Sequence, residues 1–161
     1  MTNELIVGQP APTFSTIAVG GEYGNSTSLS LASLRGKTVV LYFYPKDDTP
    51  GCTTQACGIR DTHTKFTSQN IVVLGVSADS PEKHRKFAEK FSLPFPLLSD
   101  EGHDLIKAYG VWVEKSMYGK KYMGIERSTF VIDPDGLLKS IYRKVKPAEH
   151  AAHVLKDLGA S

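Results

Sequence analysis

The stretch Tyr44-Pro45-Lys46-Asp47-Asp48-Thr49-Pro50-Gly51-Cys52 follows directly on the apolar run Val39-Val40-Leu41-Tyr42-Phe43. Together they constrain the fold more than any other part of the chain. The apolar run reads as a buried strand, and Pro45, Pro50 and Gly51 mark a turn after it. Thr49 before Pro50 is a helix-start signal, with Thr at the N-cap and Pro at the first helical position. The helix then runs toward Ser68, and Ile71-Val72-Val73-Leu74-Gly75-Val76-Ser77 supplies a second apolar, β-branched strand. With the second helix, the hairpin and the last helix that follow, this order predicts an α/β chain on a mixed sheet.

On this register Cys52 lies in the first turn of the helix. The first N–H groups of a helix lack intrahelical partners, and the macrodipole adds partial positive charge there. Both favour a thiolate, and such sites bring a cysteine pKa from about 8.5 into the range of roughly 3.5–7.5. Cys52 is therefore a candidate nucleophile, and its place just past a Pro-Gly turn argues against a merely packed thiol. Cys57 is five residues on, a rise of about 7.5 Å and a rotation of about 140° along a regular helix. The two Cα atoms would stand roughly 8–9 Å apart, beyond the ~7 Å reach of a disulfide. Either the pair is never bridged, with Cys57 simply packing, or the first helical turns unwind when it is.

The pattern Pro45-x-x-x-Thr49-x-x-Cys52 resembles the active-site motif of the peroxiredoxins. The longer string Thr49-Pro50-Gly51-Cys52-Thr53-Thr54-Gln55-Ala56-Cys57-Gly58-Ile59-Arg60-Asp61 resembles the peroxiredoxin Q subfamily, also called bacterioferritin comigratory protein. The similarity extends over most of the chain, through Gly8 to Phe14, Leu74 to Ser77, Pro94 to Asp100, Tyr109 to Trp112 and Gly124 to Asp133. It implies a thioredoxin-like fold with a mixed central sheet flanked by helices and an N-terminal hairpin. It also implies a thiol-dependent peroxidase, without cofactor or metal, that reduces hydrogen peroxide and organic hydroperoxides. Cys52 would be the peroxidatic cysteine and pass through a sulfenic acid, which condenses with a nearby thiol. Cys57, the only other thiol, would be the resolving cysteine, and thioredoxin or a glutaredoxin would reduce the disulfide. A monomer is implied as well.

The resemblance also assigns the site. Thr49 would donate its hydroxyl to the peroxide or the thiolate. The backbone N–H groups of Gly51 and Cys52 would hold the peroxide oxygens. Arg127 would reach in from a distant strand to favour the thiolate and polarise the peroxide, and Pro45 would shield the sulfur. Each has a plainer reading: Thr49 as an N-cap alone, Arg127 as a surface ion-pair partner, Pro45 as a turn former. Trp112 reads as packing.

The remaining pattern fits one domain over residues 1–161. Residues 15–31 read as a hairpin, with Gly20-Gly21 and Gly24-Asn25 as turn signals. Ser80-Pro81 opens a helix to about Phe91 whose Phe87, with Phe91 and Leu93, packs inward, and Pro94 ends it. Leu97-Leu98 reads as a short edge strand and residues 103–109 as a short helix. Strands at 127–132 and 137–142 flank Asp133-Pro134-Asp135-Gly136, a hairpin turn signal. A last helix runs from Pro147 or Ala148 to Leu158, before Gly159.

With 19 basic and 17 acidic residues, net charge +2, the chain is too balanced to suggest nucleic acid. Lys139, Arg143, Lys144 and Lys146 read as a solvated basic face. No apolar run approaches the ~20 residues of a membrane span, and Met1-Thr2-Asn3-Glu4 opens no secretory signal. Two cysteines without a signal suggest a reducing compartment, the cytoplasm. Cys52, Cys57 and His63 cannot converge on a tetrahedral metal from one helix, since Cys52 and His63 lie about 16 Å apart along it. His150 and His153 near the C-terminus read as solvent-facing. The Cys-x-x-Cys of dithiol oxidoreductases is absent. A redox sensor would show the same cysteine, and turnover with a reductant separates it from an enzyme.

Overall fold

The computed structural model describes residues 5–24 and 27–159. Met1 to Glu4 and Asn25, one of the expected turn residues, lie outside them. The N-terminal hairpin is present: β1 (Ser15–Val19) pairs antiparallel with β2 (Thr27–Ser30). β3 (Thr38–Phe43) then leads through the Pro45–Thr49 loop into α1 (Pro50–Thr67), and β4 (Ile71–Ser77) returns parallel to β3. α2 (Pro81–Phe91) starts as expected, with the Ser80 hydroxyl accepting from the Lys83 N–H at 3.3 Å. It connects to β5 (Leu97–Ser99), parallel to β4.

Leu97 and Leu98 do not form an edge strand. The N-terminal hairpin adds outside them, β1 pairing antiparallel with β5, so both leucines are fully buried. After α3 (Asp104–Ala108) comes a hairpin of β6 (Trp112–Met117) and β7 (Lys120–Ile125) in a separate two-stranded sheet. The sequence pattern assigns no element there. β8 (Ser128–Ile132) and β9 (Leu138–Tyr142) form the expected hairpin, closed by Asp133, whose carboxylate accepts from the N–H groups of Asp135 and Leu137. The main sheet runs β2-β1-β5-β4-β3-β8-β9 and is mixed, because β8 lies antiparallel to β3. α4 (His150–Asp157) begins two to three residues later than expected.

Successive residues of a strand face opposite sides, and β3 divides the interior on that basis. Leu41 and Phe43 join one buried cluster with Phe130, Tyr109 and the α3 residues Leu105 and Ile106. Val40, Tyr42 and Tyr44 join the other, under α1, α2 and α4, with Ile59, Phe66, Phe87 and Val154. The result is the mixed α/β architecture, helices on both faces, that the sequence implies.

Candidate active site

The loop after β3 is fixed before it reaches the cysteine. Asp47 is buried, and its carboxylate takes a hydrogen bond from the Tyr44 hydroxyl and meets His84 Nδ1 of α2 at 2.6 Å. His84 Nε2 donates to the Leu98 carbonyl at 2.9 Å. The Asp47 N–H donates to Asp79 Oδ2 beyond the end of β4, which also accepts from the Ser77 hydroxyl. A fully buried acid–base pair with every hydrogen bond made is costly to break, by about 3–5 kcal/mol when one partner is removed. It ties the loop to α2, β4 and β5 at once.

Thr49 occupies the N-cap position in extended conformation, and Pro50 opens the helix as expected. Its hydroxyl makes no cap, however, and donates to the Lys46 carbonyl at 2.8 Å. The proton expected to point at peroxide or sulfur is therefore engaged in the loop, and the Thr49 oxygen is left as an acceptor. Pro45 is partly buried at the start of the loop. Cys52 follows in the first helical turn, only 2% exposed, and Cys57 is half-buried five residues on; both are free thiols.

Arg127 stands in the connection between β7 and β8, just before the strand rather than in it. Its Nη2 donates to Cys52 Sγ at 3.3 Å and its Nη1 to Gln55 Oε1 at 2.6 Å. A surface ion pair is thus not its arrangement: one nitrogen faces the thiol and the other the next turn of α1. Gly51 explains itself here, since a Cβ at that position would lie 3.2 Å from Arg127 Nη2 and 3.5 Å from Pro147. With a side chain at this position, the guanidinium would have to give by a few tenths of an ångström.

The geometry adds residues that the sequence does not single out for this role. Gln55 Nε2 lies 3.1 Å from His150 Nδ1, and His150 Nε2 lies 2.7 Å from the Thr129 hydroxyl. His150 is 3% exposed, so the expectation of a solvent-facing His150 and His153 pair fails for the first of them; His153 is exposed. Burial, with Arg127 and His153 nearby, pushes the His150 imidazole down to about 4. Lys115 of β6 also lies in the field of the site. Partial burial and Arg127 lower its ammonium from the ordinary lysine range, while Cys52 and Glu126 act the other way. These partners lie far apart in the chain, and only the fold brings them together. Among the described residues the one close grouping of metal-ligating types is Asp47, Asp79 and His84, each already hydrogen-bonded in the loop tether.

A buried helix-start cysteine facing a fixed arginine, on a thioredoxin-like sheet, defines a thiol peroxidase. The sequence profile of the AhpC/TSA family matches residues 7–141. The peroxiredoxin Bcp of Bacillus subtilis is 51% identical over 152 residues, 94% of either chain. That of Escherichia coli K12 is 46% identical over 156 residues, 97% of either chain. Among solved structures, the bacterioferritin comigratory protein of Xanthomonas campestris superposes with TM-score 0.87 at 39% identity, covering 98% of both chains. A cysteine-to-serine variant of Xylella fastidiosa PrxQ gives 0.88 at 36% identity, again covering 98% of both. The chain belongs to the AhpC/TSA family, as a peroxiredoxin of the Bcp or peroxiredoxin Q type.

Proposed function

We propose that this peroxiredoxin reduces hydrogen peroxide and organic hydroperoxides at Cys52 and recycles through a Cys52–Cys57 disulfide. The carrying observation is the 3.3 Å contact of Arg127 Nη2 with Cys52 Sγ at the start of α1. The Cys52 thiolate attacks one peroxide oxygen, the O–O bond breaks, and the departing oxygen leaves as water or an alcohol once protonated. Charge developing on that oxygen is met by the Arg127 guanidinium and the N–H groups of Gly51 and Cys52, which lie too early in α1 for intrahelical partners. The Thr49 oxygen, whose hydroxyl donates its hydrogen bond to the Lys46 carbonyl, accepts from the peroxide O–H and orients it. Pro45 limits water at the sulfur.

The product is a sulfenic acid at Cys52. The Cys57 thiol attacks it, releasing water and forming the disulfide. A cytoplasmic dithiol, thioredoxin or a glutaredoxin, returns both cysteines to thiols, with the protein acting as a single-domain monomer. No helix among the described residues is long and apolar enough to cross a membrane.

Peroxide consumption coupled to thioredoxin, its reductase and NADPH tests the cycle, with glutaredoxin and several peroxides in parallel. Cys52→Ser is expected to abolish turnover. Cys57→Ser is expected to complete one peroxide reduction and then hold Cys52 as sulfenic or sulfinic acid, visible by mass spectrometry. An unmodified Cys52 in that variant after peroxide would remove it as the nucleophile.

A further inference from the structure

The hydrogen bonds behind Arg127 have only one consistent direction. A guanidinium can only donate, so the Gln55 atom that meets Arg127 Nη1 at 2.6 Å is the amide oxygen. That leaves the Gln55 NH2 group pointing at His150 Nδ1, 3.1 Å away, and Nδ1 must accept. An accepting Nδ1 places the imidazole proton on Nε2, which donates to the Thr129 hydroxyl at 2.7 Å. Thr129 is fully buried in β8, and His150 is the first residue of α4. The set therefore runs from the reacting sulfur through Arg127 and Gln55 to an imidazole 95 residues beyond Gln55.

We propose that His150 is a positioning residue for peroxide reduction: as a neutral imidazole protonated on Nε2, it holds Gln55 in the one amide orientation that seats Arg127 against Cys52. This rests on the reading of Arg127 as the group that faces the peroxide. Without an acceptor at the Nδ1 position the Gln55 amide is free to turn. Its NH2 group would then face the guanidinium, donor against donor, and Nη1 would lose its partner. The charged and titratable groups acting on His150 are Arg127 and His153, and burial acts with both to keep the ring uncharged.

Two substitutions separate the two ring nitrogens. His150→Asn sets an amide oxygen where Nδ1 stood and keeps the acceptor for Gln55. His150→Gln reaches the Nε2 position, toward Thr129, and leaves Gln55 without that acceptor. Stopped-flow oxidation of the full-length reduced protein by hydrogen peroxide gives the rate, with Arg127→Ala as the reference for complete loss of the arginine. His150→Gln is expected to slow the peroxide step about tenfold or more and His150→Asn by less than about threefold, since small misplacements of a catalytic group carry losses of that size. A role confined to stability would not sort the variants this way. In the unmodified protein, ¹⁵N imidazole shifts at neutral pH are expected to show Nδ1 bare and Nε2 protonated, a readout that needs no variant to fold. A charged ring, the opposite tautomer, equal slowing by both variants, or native rates in both while Arg127→Ala is slow would each overturn the proposal. Native rates in Arg127→Ala as well would fault the reading of Arg127 itself and take this proposal with it.

Discussion

Tyr42 shows how closely single residues are fitted beneath the site. Its ring lies across from Gly75 in the β3–β4 register, and a Cβ on Gly75 would come within 2.9 Å of both the ring and the hydroxyl. Gly75 is therefore the residue that admits a tyrosine here. The hydroxyl is the one buried side-chain polar atom among the described residues without a hydrogen-bond partner. Burial above all, then the nearby Cys52, raises the phenol well above the ordinary tyrosine range, so it stays neutral. An unpaired buried hydroxyl costs about 1–3 kcal/mol. Tyr42→Phe keeps the ring and removes that cost, so it is expected to stabilise the protein by about 1 kcal/mol in urea denaturation. A loss of stability instead would mean that the hydroxyl has a partner within the fold.

At the scale of elements, α1 is the seat of the thiol and, on the proposed cycle, also the part that yields. It is continuous over Pro50–Thr67, with Cys52 buried and Cys57 on a more open face. Bridging the two requires its first turns to open, which Gly51, Gly58 and two weak helix formers, Thr53 and Thr54, make easier. Opening would also withdraw Gln55 from Arg127 and His150, so the proposed disulfide would dismantle the hydrogen bonds behind the arginine. Hydrogen exchange on the oxidised protein is expected to show lost protection at about residues 53–60 and none at Ile71–Ser77; unchanged protection with the disulfide confirmed by mass would contradict it. The β3–loop–α1–β4 unit and the start of α2 are legible in sequence because their signals are local: an apolar run, Thr-Pro, Ser-Pro. The β6–β7 hairpin is not, since its strands carry Glu114, Lys115, Lys120 and Lys121. Its turn also puts Tyr118 and Gly119 at φ 53° and 79°, where an Asn-Gly pair is the usual sign. Arg127 and Cys57 were legible as members of a motif. His150 and the Asp47–His84 tether were not, because their partners sit 95 and 37 residues away.

Across the whole molecule, one buried histidine couples stability to acidity. In the unfolded chain His150 takes up a proton near pH 6.5, whereas in the folded protein it does so only near pH 4. Between these values the unfolded state holds one proton more, so stability falls as pH drops through this window and is fully present above it. The contribution reaches about 3 kcal/mol, at 1.36 kcal/mol per pKa unit. Unfolding free energies of the native protein and His150→Asn, compared at pH 7 and pH 4.5, are expected to fall more steeply for the native chain by roughly 2 kcal/mol; parallel curves would refute it. The role proposed for this residue also implies an order of events during synthesis. Cys52 leaves the ribosome long before Arg127, and His150 follows Gln55 by 95 residues. A nascent chain therefore carries the thiol without the arginine that faces it or the imidazole behind that arginine. On the proposed roles of Arg127 and His150, full reactivity toward peroxide would be acquired only when α4 docks.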